Sequence, residues 1–260
     1  MRLSSIRVFF FDLDGVLSVG KETPRYLGGR GLIAKIKASG RKAAVLTNDS
    51  THTRQEILEI LRGFRFNFDF EEILTSSYLT AMYLAHRFGE ASFFLVGEEG
   101  LRRELEAAGH RSSDVDPDVV VVGFDRQLTY QKLDQALRNL RGGSLLVGSY
   151  GGAVFMSEHG PALSAGPIIK ALEYGSGKRA VMVGKPSPRM FRLALHRVHE
   201  KAADAVMVGD QVETDLLGAH RAGVHTILVL TGVEKQESIA HSRLKPDLVL
   251  GAVDDLAALL

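Results

Sequence analysis

Six short runs of unbroken apolar residues constrain this chain most: Val8–Phe11, Ala43–Leu46, Phe93–Val96, Val119–Val122, Val181–Val183 and Val206–Val208. A strand with one face in water alternates apolar and polar residues. A run that is apolar at every position needs cover on both faces, which is the situation of a parallel sheet sandwiched between helices. Leu145–Val147 and Thr226–Leu230 are two further candidates. Several runs stop at a glycine (Gly97, Gly123, Gly148, Gly184, Gly209), where the chain can turn sharply as it leaves the strand. Between the runs, apolar residues three or four apart predict helices over 31–39, 54–63, 78–88, 99–108, 129–140, 188–200 and 211–221. Ser187-Pro188 supplies an N-cap followed by proline at the first helical position. Strands alternating with helices predict an α/β protein with a mostly parallel sheet.

The 260 residues suffice for one large domain or two modest ones. The chain has no cysteine, which excludes disulfides, thiolate metal sites and a cysteine nucleophile. Its net charge of +1 creates no field that would draw nucleic acid or an anionic membrane. No stretch reaches the ~18 apolar residues of a membrane span, and Ile6–Phe11 is too short for the apolar region and cleavage site of a secretory signal. The expectation is a cytoplasmic protein with neither nucleic acid nor membrane as partner.

Four segments carry candidate chemistry. In Phe11-Asp12-Leu13-Asp14-Gly15 a strand delivers two carboxylates, two residues apart, to a glycine turn. Carboxylates this close repel unless a cation or proton lies between them. In Leu46-Thr47-Asn48-Asp49-Ser50 a strand ends in a hydroxyl and an amide that, with backbone N–H groups, suit a phosphate. In Gly184-Lys185-Pro186-Ser187 a lysine is pinned between glycine and proline at a helix entrance. In Val208-Gly209-Asp210 a further strand ends at an acid, with Asp215 five residues on. Asp12 and Asp210 together can bind a hard cation such as Mg2+, with waters and phosphate completing an octahedron. Taken singly, each segment also has a plain reading: solvated turn acids, an N-cap cluster, a surface lysine, an acid favoured by a helix dipole. Taken together, all four lie at the carboxyl ends of strands, where open parallel sheets bind ligands. His196 and His199 are three apart, with no third ligand at suitable spacing, and are expected on an exposed helix face.

These segments resemble the four motifs of the haloacid dehalogenase superfamily, and the likeness covers essentially the whole chain. Val96–Leu101, Val121–Asp125, Thr129–Leu133 and Thr231–Val233 are similar to the branch of 4-nitrophenyl, phosphoglycolate and NagD-like phosphatases. The resemblance implies a Rossmann-like parallel-sheet core over 1–77 and 180–260 with an α/β cap domain inserted at 78–179. It implies a phosphomonoester hydrolase in which Asp12 is the nucleophile, forming an aspartyl-phosphate, and Asp14 the general acid and base. Thr47 and Lys185 would bind the transferring phosphoryl group, assisted by Asn48. Mg2+ would be held by Asp12, Asp14 (through its backbone carbonyl) and Asp210, with Asp215 ordering Lys185 or a metal-bound water. The implied partner is a small phosphorylated metabolite, and a homodimer through the cap is compatible with the branch.

Two departures stand out. Asp49 replaces the usual asparagine, which would put an extra negative charge near the phosphate. Gly148–Gly152 replaces a Thr-Asn-x-Asp stretch of the cap, and Tyr150 within it is expected either to stack on or hydrogen-bond to a leaving group or to lie on a surface turn. A dehalogenase would need neither Asp14 nor Mg2+, a phosphomutase pairs these motifs with a different cap, and a phosphosugar sensor would have lost Asp12 or Asp14.

Overall fold

The computed structural model describes residues 1–20, 23–157 and 160–260 and divides into two compact units. The first comprises Met1–Thr47, Arg54–Leu74 and Lys185–Leu260; the second comprises Asn48–Thr53 and Thr75–Gly184.

The first unit is built on a six-stranded sheet. Its order is Leu248–Leu250, His225–Val229, Ala205–Gly209, Val8–Phe11, Lys42–Thr47 and Ile73–Thr75. The pairings from Leu248–Leu250 across to Lys42–Thr47 are all parallel. Val8–Phe11 is central and wholly buried, as its unbroken apolar run requires. Phe9 and Phe11 join a core with Leu32, Ile33 and Ile36 of helix Arg30–Ala38 and with Ile57, Leu58 and Leu61 of helix Arg54–Gly63. The chain builds the sheet first to one side of Val8–Phe11 and then to the other. The reversal of strand order therefore falls at the strand that ends in Asp12, where a doubly wound sheet opens a crevice for ligands.

The second unit contains a five-stranded parallel sheet. Its order is Val181–Met182, Leu145–Gly148, Val119–Val122, Ser92–Val96 and Arg111–Ser112. Helices Tyr130–Gly142 and Ala165–Ser176 pack on it through Ala136, Leu140, Ala165, Ile169 and Leu172. An antiparallel hairpin pairs Val154–Ser157 with Gly160–Leu163. The mixed α/β architecture with parallel sheets agrees with the sequence pattern.

Two elements differ from expectation in kind. The helix expected over 211–221 begins as a π-turn over Val212–Leu216, with the Leu216 N–H bonded to the Gln211 carbonyl at 3.3 Å, and continues as α-helix over Leu217–Arg221. The helix expected over 188–200 stops at Val198, where His199 takes a left-handed conformation with φ 55°. Ser187 caps its start by accepting the Arg189 N–H at 3.3 Å, with Pro188 at the first position. His196 and His199 are exposed. Among the described residues no helix is long and apolar enough to cross a membrane.

Candidate active site

Four of the expected residues meet in the first unit, each delivered by the end of a strand or by the turn that follows it. Asp12 is held at the end of the central strand by its N–H, which donates to the Val208 carbonyl at 2.9 Å. Its Oδ1 accepts the Leu13 N–H at 2.8 Å and lies 2.8 Å from Lys185 Nζ. Lys185 is only 1% exposed; its ammonium also lies 2.6 Å from Asp215 Oδ1 and donates to the Leu46 carbonyl at 3.0 Å. The ammonium thus lies against both Asp12 and Asp215.

Asp215 owes its position to the π-turn. Its Oδ2 accepts the N–H groups of Asp210 and Gln211 at 3.2 and 3.1 Å, clasping the turn that carries the next acid. A side chain at Gly209 would overlap the Asp215 carboxylate, so that position must be glycine. Asp210 is 1% exposed; its Oδ2 accepts the Val233 N–H at 2.8 Å, and its buried Oδ1 has no hydrogen-bond partner among the described residues.

Asp12, Asp210 and Asp215 each offer a carboxylate oxygen within 4.8 Å of the others, and all three are buried. Burial raises the Asp12 carboxyl well above the ordinary carboxylate range; Asp215 and Asp210 push it the same way, and Lys185 offsets them only in part. Asp210 is raised to about 7, by burial first and then by Asp215. Burial would lower Lys185, yet the charges of Asp12 and Asp215 outweigh it and hold the ammonium protonated. With all three ionised, three carboxylates against one ammonium would be a buried excess of negative charge, and Asp210 Oδ1 is buried with no hydrogen-bond partner among the described residues. These donors fit a hard, oxygen-seeking cation.

Asp14 is not one of the three clustered carboxylates, though its charge also helps to raise Asp210. It is exposed, and its Oδ1 accepts the Gly20 N–H at 3.2 Å. The sharp turn after it needs Gly15, whose φ is +82° and whose N–H donates to the Ser18 carbonyl at 2.7 Å. Thr47 ends its strand 5% exposed.

Asn48 and Tyr150 belong to the second unit, and both pack against Gly184. A Cβ there would lie 2.6 Å from Asn48 Oδ1 and 2.8 Å from Tyr150 Cβ. The structure corrects the expectation for Tyr150. Its ring is 8% exposed within the apolar core, and its hydroxyl shares a 2.6 Å hydrogen bond with Ser164 Oγ, so it forms neither a surface turn nor an exposed stacking face. The glycines of the same loop serve internal packing: a side chain at Gly148 would meet Ile169 and Met182.

Asp49 is likewise tied down inside the second unit. Its Oδ1 accepts the Thr51 and His52 N–H groups at 2.7 and 3.1 Å, and its Oδ2 lies 2.8 Å from His52 Nδ1. Burial alone would raise its carboxyl, but the bond and charge of His52 and the two N–H donors bring it down to about 2. A folded pKa below the unfolded 3.8 means stability that is present above pH 3.8 and lost as pH falls through 2. Asp49→Asn should remove that dependence. Between pH 5 and pH 2 the parent should lose about 2 kcal/mol more than the variant, read from urea midpoints. Superimposable pH–stability curves would refute this account of Asp49.

Residue type and spacing alone do not show the pairing of Lys185 with Asp215; the resemblance offers it as one of two roles for Asp215, the other being a metal-bound water, and the structure has the ammonium contact. The stretch Thr231–Val233 stood out only as similar to the branch, with no role attached; in the structure Gly232 lies against Asp210, and Thr231 Oγ1 donates to the Gly15 carbonyl at 2.6 Å.

The site can be set beside known proteins. A family model described as haloacid dehalogenase-like hydrolase matches residues 9–111, and a HAD-hydrolase-like model matches residues 182–259. The chain is similar to the solved p-nitrophenyl phosphatase of Archaeoglobus fulgidus, at 34% identity and a TM-score of 0.93 over 98% of this chain and 99% of that one. It is 29% identical to a 5'-nucleotidase of Bacillus subtilis and to an acid sugar phosphatase of Staphylococcus aureus, each over 94% of both chains. The four strand-end segments lie within these matched regions, and the chain belongs to the haloacid dehalogenase-like hydrolases.

Proposed function

We propose that the protein is a Mg2+-dependent hydrolase of small phosphomonoesters that works through an aspartyl-phosphate on Asp12. The observation that carries this reading is the buried set of Asp12, Asp210 and Asp215, with one ammonium, Lys185, against Asp12 and Asp215 and an Asp210 Oδ1 that has no partner among the described residues. Relatives named as phosphatases and a 5'-nucleotidase support the reaction class.

In the first step an Asp12 oxygen forms a bond to phosphorus as the ester oxygen leaves. Oδ1 is engaged by Leu13 and Lys185, so Oδ2 is the attacking atom. Asp14 gives its proton to the leaving oxygen. In the second step Asp14 takes a proton from water as that water attacks phosphorus, and Asp12 is released with inorganic phosphate. Thr47 and Lys185 bind the transferring phosphoryl oxygens, with Asn48 in support. Asp215 holds the Lys185 ammonium, the role it has in the structure at 2.6 Å. Asp12, Asp210 and the Asp14 carbonyl would hold Mg2+, which supplies positive charge that offsets repulsion between a carboxylate and a phosphate. The second unit is read as the cap. Activity is expected on small esters such as 4-nitrophenyl phosphate and not on phosphoproteins or nucleic acid.

The test is phosphate release from a panel of phosphorylated metabolites before and after chelation. EDTA should abolish release, Mg2+ should restore it, and Ca2+ should fail to, because it favours more ligands in looser geometry. Activity that survives complete chelation would contradict the metal reading.

The same site predicts a pH dependence of thermal stability. An Asp210 pKa raised to about 7 in the folded protein gives metal-free stability that is full below pH 3.8 and declines as pH rises through 7. Bound Mg2+ favours the ionised carboxylate and reverses the loss. The Tm increment produced by Mg2+ should therefore be larger at pH 8 than at pH 5. An increment independent of pH would count against Asp210 as a ligand.

A further inference from the structure

Asp210 occupies a narrow slot. One wall is Gly15 and the other is Gly232, and a Cβ on either would overlap Asp210 Oδ2. Thr231 ties the walls together through its hydroxyl, which donates to the Gly15 carbonyl at 2.6 Å. The next residues hold Asp210 itself: the Val233 N–H donates to Oδ2 at 2.8 Å and the Glu234 N–H donates to the Asp210 backbone carbonyl at 3.2 Å. An aspartate rotates easily about its last bond, which exchanges its two oxygens. Here the slot and the Val233 N–H fix that rotation. One oxygen is engaged, and Oδ1 is buried with no partner among the described residues, in a carboxylate that offers an oxygen within 4.8 Å of those of Asp12 and Asp215.

We propose that Thr231, Gly232 and Val233 form a positioning element for the cation: they choose which oxygen of Asp210 is presented and hold it there before any ligand arrives. This rests on the reading of Asp210 as a metal ligand. Thr231 is assigned a positioning role and not that of a ligand. It acts by clamping the Gly15 turn against the loop that grips Asp210, and so ties the turn following Asp12 and Asp14 to the ligand contributed by a different strand. Partners that orient metal ligands in this way are commonly worth 10–100-fold in affinity.

The experiment is a Mn2+ titration followed by electron paramagnetic resonance, on full-length chelator-treated protein without substrate. Tm is recorded in parallel in EDTA. Thr231→Val keeps the shape and removes the hydroxyl; it should weaken Mn2+ binding about tenfold with little change in metal-free Tm. Thr231→Ser keeps the donor and should bind within about twofold of the parent, less than the loss of a hydrogen bond would give. Gly232→Ala fills the slot and should weaken binding at least as much as Thr231→Val. Equal affinity in the parent and Thr231→Val would overturn the inference and leave Asp210 as a ligand. So would equal weakening in Thr231→Val and Thr231→Ser together with a fallen metal-free Tm, which marks a purely structural role. A parent protein that binds no Mn2+ would overturn the reading of Asp210 itself.

Discussion

Asp12→Asn is expected to give a folded protein that releases no phosphate. On the proposed mechanism the attacking atom is a carboxylate oxygen, and an amide in its place is a far poorer nucleophile, so turnover should fall by about 10⁴-fold or more. Loss of fold can be separated from loss of chemistry because the charge balance of the site gives the two opposite signs. Asp12 is one of three buried carboxylates facing one ammonium, and burial with Asp215 and Asp210 already disfavours its ionised form. Neutralising it relieves repulsion, so the metal-free Tm should not fall. Turnover near the parent rate in a pure preparation would rule out covalent catalysis by Asp12. A collapsed Tm would instead mean that the Lys185 contact at 2.8 Å holds the site together more than repulsion strains it.

Asp14→Asn should slow turnover by roughly 10²–10⁴-fold, the usual worth of general acid–base catalysis. Its carboxylate is exposed and accepts the Gly20 N–H at 3.2 Å, so stability should change by no more than about 0.5 kcal/mol. The leaving group supplies an internal check. Nitrophenolate departs readily without a proton and an alkoxide does not. Single-turnover phosphorylation of the variant should therefore be impaired far more with an alkyl phosphate than with 4-nitrophenyl phosphate, whereas the water step should be slowed equally after either. The same deficit for both leaving groups in the first step would remove Asp14 as the acid.

Much of the fold was legible because the strongest signal in the sequence is also the one that parallel sheets produce. Val8–Phe11 and Val119–Val122 are apolar at every position, and both are wholly buried. Elements without that signal were missed for identifiable reasons. Ile73–Thr75 is three residues long, follows two glutamates and runs directly into a helix, so no periodicity can build up. Helix Ala165–Ser176 contains Gly166, Pro167 and Gly175, which read as breakers. In the structure Gly166 is needed there, because a side chain would strike the Gly151 and Gly152 carbonyls.

The chemistry of the site was legible one strand end at a time. Asp12, Lys185 and Asp210 each announce themselves by residue type and position. What joins them is not carried by residue type: the reach of Lys185 to Asp215 came only from the resemblance, as one of two roles, the π-turn that aims Asp215 has no periodicity to announce it, and the glycine slot around Asp210 depends on contacts between segments distant in sequence. Tyr150 went astray for a related reason. A tyrosine among glycines suggests exposure, but Ser164 and the apolar core that bury it come from elsewhere in the second unit.

The central claim is a covalent phosphate on Asp12, and acid-quenched single turnover followed by peptide mass spectrometry tests it most directly. With Mg2+ and a phosphomonoester, a transient phosphate should appear on the peptide containing Asp12 and decay as inorganic phosphate is released; it should be absent in Asp12→Asn and last longer in Asp14→Asn. Phosphate release with no phosphorylated peptide at any time, or phosphate on a residue other than Asp12, would contradict the account.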